Sequence, residues 1–88
     1  MAERNSNDGS ERVEVEIFGE IYRLRTDDKE GLKEIVKTVD TTMKELAKST
    51  RSFAGSRIAV LAALKIAQDA YQLRKDYNEL LELLDENK

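Results

Sequence analysis

The sequence is short, mildly acidic and without the residue types that carry most metal and nucleophile chemistry. Its 88 residues suit a single domain, and the absence of Cys and His excludes the usual zinc, thiol and haem sites. A net charge of −3 argues against nucleic acid as the main partner, because such binders concentrate positive charge. We therefore expect no cofactor, no metal and no nucleic-acid partner.

Residues 1–11 form a polar N-terminal segment without periodicity, which predicts a disordered tail. The segment lacks the apolar stretch that signal peptides carry. No apolar run elsewhere approaches the roughly 20 residues that span a bilayer. These patterns predict a cytoplasmic protein without membrane insertion.

Residues 12–26 alternate between apolar and polar side chains and predict a β-hairpin. A two-residue turn at Gly19-Glu20 suits type II′ geometry, because its first residue is glycine. The register that this turn imposes pairs apolar with apolar and acidic with basic residues: Ile17 with Tyr22, Val15 with Leu24, Glu16 with Arg23, and Glu14 with Arg25. Phe18 and Ile21 are then either exposed anchors for a partner or packed against a neighbouring subunit.

Residues 27–51 predict the first helix, with Asp27 and Glu30 as a variant of the capping box. Its apolar residues recur at helical spacing and form one stripe: Leu32, Ile35, Val36, Val39, Met43, Leu46 and Ala47. The lysines lie mostly off this stripe, and we interpret them as a solvated face. A lone hairpin is marginal in water, so its apolar face should cover a helix or join strands of another chain.

A second, long helix follows a short junction at residues 52–56, where Ser52 or Ser56 can serve as the N-cap. Residues 58–67 are apolar on nearly every face, which predicts burial in a core. Residues 68–86 are amphipathic and predict a projecting coiled coil.

A heptad pattern runs along the second helix, with apolar residues at alternating spacings of four and three. It comprises Ala59, Ala63, Ile66, Ala70, Leu73, Tyr77, Leu80 and Leu84. A single helix with such a seam must bury it against another chain, so the sequence predicts an oligomer. The predicted fold class is α+β and mostly α, with a head at residues 12–67 and a projecting helix at residues 68–88.

No catalytic constellation emerges from the sequence, and we expect a binding protein and not an enzyme. The acid pairs Asp27-Asp28 and Asp85-Glu86 lie at predicted helix ends, where capping and fraying explain them. The sequence contains no phosphate-binding glycine motif, and its serines have no histidine to activate them.

Three segments carry a resemblance to a known family. In this order and spacing, VEVEIFGEIYRLRT, VDTTMKEL and RIAVLAALKIA resemble the ZapA family of bacterial cell-division proteins, over about residues 12–75. The resemblance implies a hairpin, a helix and a long coiled-coil helix. It also implies a homodimer formed through the heads and the first coiled-coil turns, and pairing of two dimers into a tetramer through the long helices.

The function implied by the resemblance is binding of the tubulin-like GTPase FtsZ, with cross-linking of its filaments and stabilisation of the division ring at midcell. We place the implied FtsZ contact on the head, at Phe18, Glu20, Arg23, Ser56 and Arg57. The family often has a basic residue where this chain has Glu20, and an acidic residue where it has Ser56. The alternative is a different coiled-coil adaptor that uses the same dimer without binding FtsZ.

Overall fold

The computed structural model describes residues 9–51 and 54–86. Two strands and two helices follow one another in the chain: β1 (Glu11–Ile17), β2 (Glu20–Thr26), α1 (Lys29–Thr50) and α2 (Gly55–Glu86). The predicted fold class, α+β and mostly α, is confirmed. Most of the predicted N-terminal tail lies outside the described residues, and Glu11, its last residue, already belongs to β1.

The hairpin differs from the sequence prediction in its turn and register. The turn residues are Phe18 and Gly19, with φ values of 52° and 84°, so the predicted Gly19-Glu20 turn is wrong. Two positive φ values are the signature of a type I′ turn, whose twist matches that of the flanking strands. The register shifts by two residues, and the observed pairs include Val13 with Leu24, Val15 with Tyr22, Glu14 with Arg23, and Ile17 with Glu20. Because side chains alternate with a period of two, this shift keeps the predicted faces.

The N-cap of helix α1 lies one residue later than predicted. The Asp28 Oδ1 accepts a hydrogen bond from the Gly31 N–H at 3.0 Å, so Asp28 is the N-cap and the predicted cap at Asp27 is wrong. The Thr26 hydroxyl oxygen accepts from the Asp28 N–H at 2.9 Å and fixes the entry of the chain. At the other end Arg51 adopts a left-handed conformation, with a φ of 59°, and ends the helix.

Helix α2 begins at Gly55, which places Ser56 inside its first turn and not at the cap. Ser52, the other predicted cap, lies outside the described residues. The 32 residues of α2 extend about 48 Å at 1.5 Å per residue. Every described side chain from residue 67 to residue 85 is exposed, so the second half of α2 makes no core of its own within the protomer.

The core of the protomer is small and lies between α1 and the start of α2. In the described part of the chain, the buried apolar residues are Met43, Ala47, Ile58 and Ala62. Partly buried side chains of the hairpin and both helices pack against them: Ile17, Phe18, Val39, Leu46 and Leu61. The predicted burial of residues 58–67 is only partly realised in one protomer, because Val60 remains 60% exposed and Leu64 63% exposed.

Replacing the turn glycine tests the observed hairpin geometry. Gly19→Ala should lower the free energy of unfolding by about 1–2 kcal/mol, because alanine is strained at a φ of 84°. Beyond its chain neighbours, no described atom lies within 4 Å of the added Cβ, so the loss comes from the backbone. Urea unfolding at a fixed protein concentration measures it.

Gly55→Ala is the matched control, because its position is equally open but lies in a helix without a positive φ. This variant should be neutral or up to about 1 kcal/mol more stable than the wild type. Equal stabilities of the two variants would contradict a turn at Phe18-Gly19.

Candidate functional site

The hairpin, α1 and the start of α2 enclose an open cleft of about 430 Å³. Its apolar walls come mainly from the hairpin, with Met43 from α1 and Ala59 from α2. Three of the predicted FtsZ-contact residues line it: Phe18, Glu20 and Ser56. Of the two strands, β1 makes the main contact with α1. The apolar side chains of β2 therefore overhang open space, with Tyr22 44% exposed.

The other two predicted contact residues lie outside the cleft. Arg23 is on the charged face of the hairpin, where its Nε lies 4.0 Å from the Glu14 Oε2. Arg57 is exposed near the start of α2. The structure thus brings three of the five predicted residues together and leaves two on the outer surface, where charges act on a partner over a longer range.

Phe18 packs partly buried against the core cluster of its own protomer, so it is not the fully exposed side chain that the first of its two predicted roles describes. Ile21, by contrast, is 57% exposed and pairs across the hairpin with Glu16. Phe18 also lines a second depression, of about 630 Å³, on the C-terminal part of α1. The turn of the hairpin therefore contributes to two neighbouring surfaces of the head.

This second depression, here called the cationic surface, has an apolar floor and a basic margin. Phe18 and Ala47 supply the apolar atoms, and Lys44, Lys48 and Arg51 supply the charges. The three cations follow one another at spacings of four and three, which places them on one face of α1. Among the described residues, Lys48 and Arg51 form no ion pair, so their charges are available to a partner.

The sequence analysis missed the cationic surface, since it interpreted the lysines of α1 as a solvated face. The regular spacing of Lys44, Lys48 and Arg51 was a visible signal. The spacing alone did not indicate that the fold brings Phe18 from the hairpin onto the same part of the helix.

Asp40 joins the hairpin turn to α1. Its Oδ1 accepts a hydrogen bond from the Phe18 N–H at 2.8 Å, and its Oδ2 lies 2.9 Å from the Lys44 ammonium nitrogen. The Asp40 side chain is only 23% exposed. The Phe18 N–H, and after it the Lys44 ammonium, hold the pKa of the Asp40 carboxyl below its usual 3.8, because both favour the charged form.

The predicted oligomer seam divides into two parts in the structure. Near the head, Ala59, Ala63, Ile66 and Ala70 line an apolar groove of about 410 Å³ together with side chains of α1. Farther along α2 the seam is an exposed ridge, formed by Leu73, Tyr77, Leu80 and Leu84. Within one protomer, Leu73 is 71% exposed, an unusual exposure for a leucine in a regular apolar pattern.

Over residues 9–51 and 54–86, no three or more His, Cys, Asp and Glu side chains are arranged to hold a metal ion. No helix within these ranges is both long and apolar enough to cross a membrane. The surfaces that the head and α2 do present are apolar grooves with charged margins, and such surfaces suit the binding of other proteins.

A small hairpin-bearing head on a long helix with an uncovered apolar seam defines the structural class of this protein. The family model described as Cell division protein ZapA matches residues 13–87. The chain therefore belongs to the ZapA family of cell division proteins, and the resemblance seen in the sequence is confirmed.

Individual relatives agree with this assignment. The chain is 31% identical over 78 residues to the cell division protein ZapA of Geobacillus sp. (strain WCH70), covering 88% of this chain and 90% of the relative. It is 30% identical over 83 residues to that of Bacillus mycoides (strain KBAB4), covering 93% and 91%. Among solved structures, a ZapA mutant dimer from Geobacillus stearothermophilus matches with a TM-score of 0.68 and 27% identity, covering 86% of this chain and 90% of that one.

The interactions of Asp40 predict a dependence of stability on acid. Because the pKa of Asp40 is lowered by folding, its stabilising contribution is complete above about pH 3.8 and is lost as the pH falls through the lower folded value. Asp40→Asn should therefore lower the free energy of unfolding at neutral pH and flatten its dependence on pH below about 4. Urea unfolding at a series of pH values measures both effects.

Asp69→Asn provides the matched control for this prediction. Asp69 pairs with Lys65 at 3.2 Å with the same spacing of four residues, but its side chain is 64% exposed. Its replacement should change stability by no more than about 0.5 kcal/mol. The same loss and the same pH profile in both variants would show that Asp40 contributes only as a surface ion pair.

Proposed function

We propose that the protein forms a homodimer that binds FtsZ and cross-links its filaments, and so supports the division ring at midcell in the cytoplasm. Membership of the ZapA family over nearly the whole chain is the observation that carries this proposal. The surfaces of the protomer supply the physical support, because the apolar groove and ridge of α2 suit self-association and the adjoining surface of the head, with its charged margins, suits a partner.

Self-association follows from the apolar surface that one protomer leaves uncovered. The groove near the head is lined by alanines and Ile66, which allow a partner helix to approach closely. The exposed ridge continues it along α2, and contiguous apolar surfaces of this extent are rare on soluble monomers. The solved relative that matches the fold is a dimer. We infer that the groove holds the dimer together and that the distal ridge lets two dimers pair into a tetramer.

Cross-linking requires at least two equivalent binding sites, and a symmetric dimer supplies them without further elements. We place each site on the head, at the cleft with Phe18, Glu20 and Ser56 and at the adjoining cationic surface. Arg23 and Arg57 act as charges around this site. Charged margins steer a partner of opposite charge and fix its orientation, so bundling of FtsZ should weaken as the salt concentration rises.

The alternative function is that of a coiled-coil adaptor for a partner other than FtsZ. It would use the same dimer, so measurements of mass cannot separate the two functions. Sedimentation of polymerised FtsZ with and without the protein separates them directly, since the adaptor would stay in the supernatant.

A charge in the groove should disrupt the dimer. Ile66→Asp would place an unpaired carboxylate in the proposed interface, at a cost of several kcal/mol, and sedimentation equilibrium should then show the mass of a monomer. Gln68→Asp is the control, because residue 68 is exposed and lies about 200° around the helix from residue 66. If Ile66→Asp still had the mass of a dimer, the groove would not be part of the interface.

Three double charge reversals locate the FtsZ contact, and each makes the chain more negative by the same amount. Lys48→Glu with Arg51→Glu changes the cationic surface, and Arg23→Glu with Arg57→Glu changes the outer head. Both should reduce co-sedimentation with FtsZ by about tenfold or more through lost charge complementarity, at unchanged dimer mass and helicity.

The third double reversal is the control and lies on the distal helix, at Arg74→Glu with Lys75→Glu. It should leave binding close to that of the wild type. Normal binding by both head variants, together with loss of binding in the distal variant, would move the FtsZ contact from the head to the projecting helix.

A further inference from the structure

The residue at the first position of the hairpin turn is an unfavourable choice for its conformation. Phe18 and Arg51 are the two non-glycine residues with a positive φ in the described part of the chain, and Phe18 has a φ of 52°. Type I′ turns favour Asn, Asp or Gly at this position, because a left-handed conformation costs other residues about 1–2 kcal/mol. Strain of this kind persists where the surroundings enforce it, and it is concentrated at functional sites.

Two contacts enforce the conformation of Phe18. The Phe18 N–H donates to the Asp40 carboxylate at 2.8 Å, which joins residues 22 positions apart in the chain. The Phe18 side chain packs partly buried against the core cluster. A hydrogen bond to a charged acceptor is both strong and directional, so the Asp40 bond fixes the orientation of the peptide group that begins the turn.

The position of Phe18 indicates what the strained conformation could contribute to function. Among the described residues, Phe18 is the one that lines both the cleft and the cationic surface. Asp40 reaches both features as well, because its Oδ1 accepts from Phe18 and its Oδ2 pairs with Lys44 of the cationic surface. A single carboxylate thus sets the turn and one of the three cations relative to each other.

We propose that Asp40 is a positioning residue for partner binding: by accepting the Phe18 N–H, it holds the hairpin turn on α1 and presents the Phe18 ring between the cleft and the cationic surface. The inference rests on the proposed binding of FtsZ, which it deepens by assigning the contact to a preorganised aromatic side chain. Preorganisation raises affinity because no ordering of the turn is left to be done on binding.

Three variants of the full-length protein test the inference by separating the acceptor, the charge and the ring. Asp40→Ala removes the acceptor of the Phe18 N–H. Asp40→Asn keeps an acceptor oxygen and removes the charge. Phe18→Asn removes the ring, keeps the N–H donor and creates an Asn-Gly turn that favours the observed geometry. Hydrogen exchange of the residue-18 amide reports the state of the turn, and co-sedimentation with polymerised FtsZ reports binding.

Asp40→Ala should lose protection of the residue-18 amide and bind FtsZ about tenfold more weakly, the equivalent of one lost hydrogen bond. Asp40→Asn should keep that protection and bind within about threefold of the wild type. Phe18→Asn should keep the protection and still lose affinity. The comparison uses variants that keep the dimer mass and helicity of the wild type, at a temperature well below unfolding. A general loss of stability then does not contribute to the measured binding.

Two results would overturn the inference while leaving the proposed function intact: Asp40→Ala that binds as the wild type does despite an unprotected amide, or Phe18→Asn that binds as tightly as the wild type. The second result also decides the matter if Asp40→Ala does not fold. Wild-type protein that fails to sediment with FtsZ would instead overturn the proposed function, and with it the role of Asp40 in binding.

Discussion

The constraint on which the structure depends is how little apolar surface one protomer can bury. Of the described side chains of the long helix α2, only Ile58 and Ala62 are buried, and both lie in its first three turns. A helix gains most of its stability from packing of its apolar face, and an isolated one is marginal in water. The remaining turns of α2 therefore depend on what covers them, so folding of the helix and association of the chain become linked quantities.

The core of the head is small as well, and contacts near the two ends of β1 attach the hairpin to α1. The Phe18 N–H binds Asp40 just after the strand ends, while Glu11 at its start lies 3.5 Å from the Lys29 ammonium nitrogen. The second contact is exposed and contributes little, so the turn is the stronger attachment. β2 is joined to the start of α1 at its last residue, where Thr26 bonds to Asp28, and its apolar face overlooks the cleft.

Local sequence patterns predicted the hairpin and its faces but not its register. Gly19 belongs to either candidate turn, and both turns leave the same side chains on the same face, so alternation does not distinguish them. The contact that favours the observed turn comes from Asp40, 22 residues away from Phe18. Propensity and periodicity describe neighbouring residues, so they do not detect a contact between residues this far apart in the chain. The cap of α1 was missed for a smaller reason, since Asp27 and Asp28 are adjacent acids and the Thr26 hydroxyl selects the second.

The candidate site was likewise predicted only in part. Phe18, Glu20 and Ser56 were assigned to one surface from the resemblance, and the fold does place them in one cleft. Lys48 and Arg51 were not assigned, because exposed basic residues on a helix are ordinarily solvated. Only the packing of the hairpin turn beside Ala47 gives those charges an apolar neighbour and thus the character of a binding surface.

The cleft of the head and the groove of α2 adjoin, an arrangement that would couple the two proposed activities. Met43 and Ala59 line both, so they are shared by the surface proposed for FtsZ and the surface proposed for the second protomer. A ligand that contacts these side chains changes the surface that the other ligand meets. Because coupling between two binding equilibria is reciprocal, any effect of self-association on filament binding must be matched by an equal effect of filament binding on self-association. In a protein with so small a core, Met43 both stabilises the protomer and borders the two proposed surfaces.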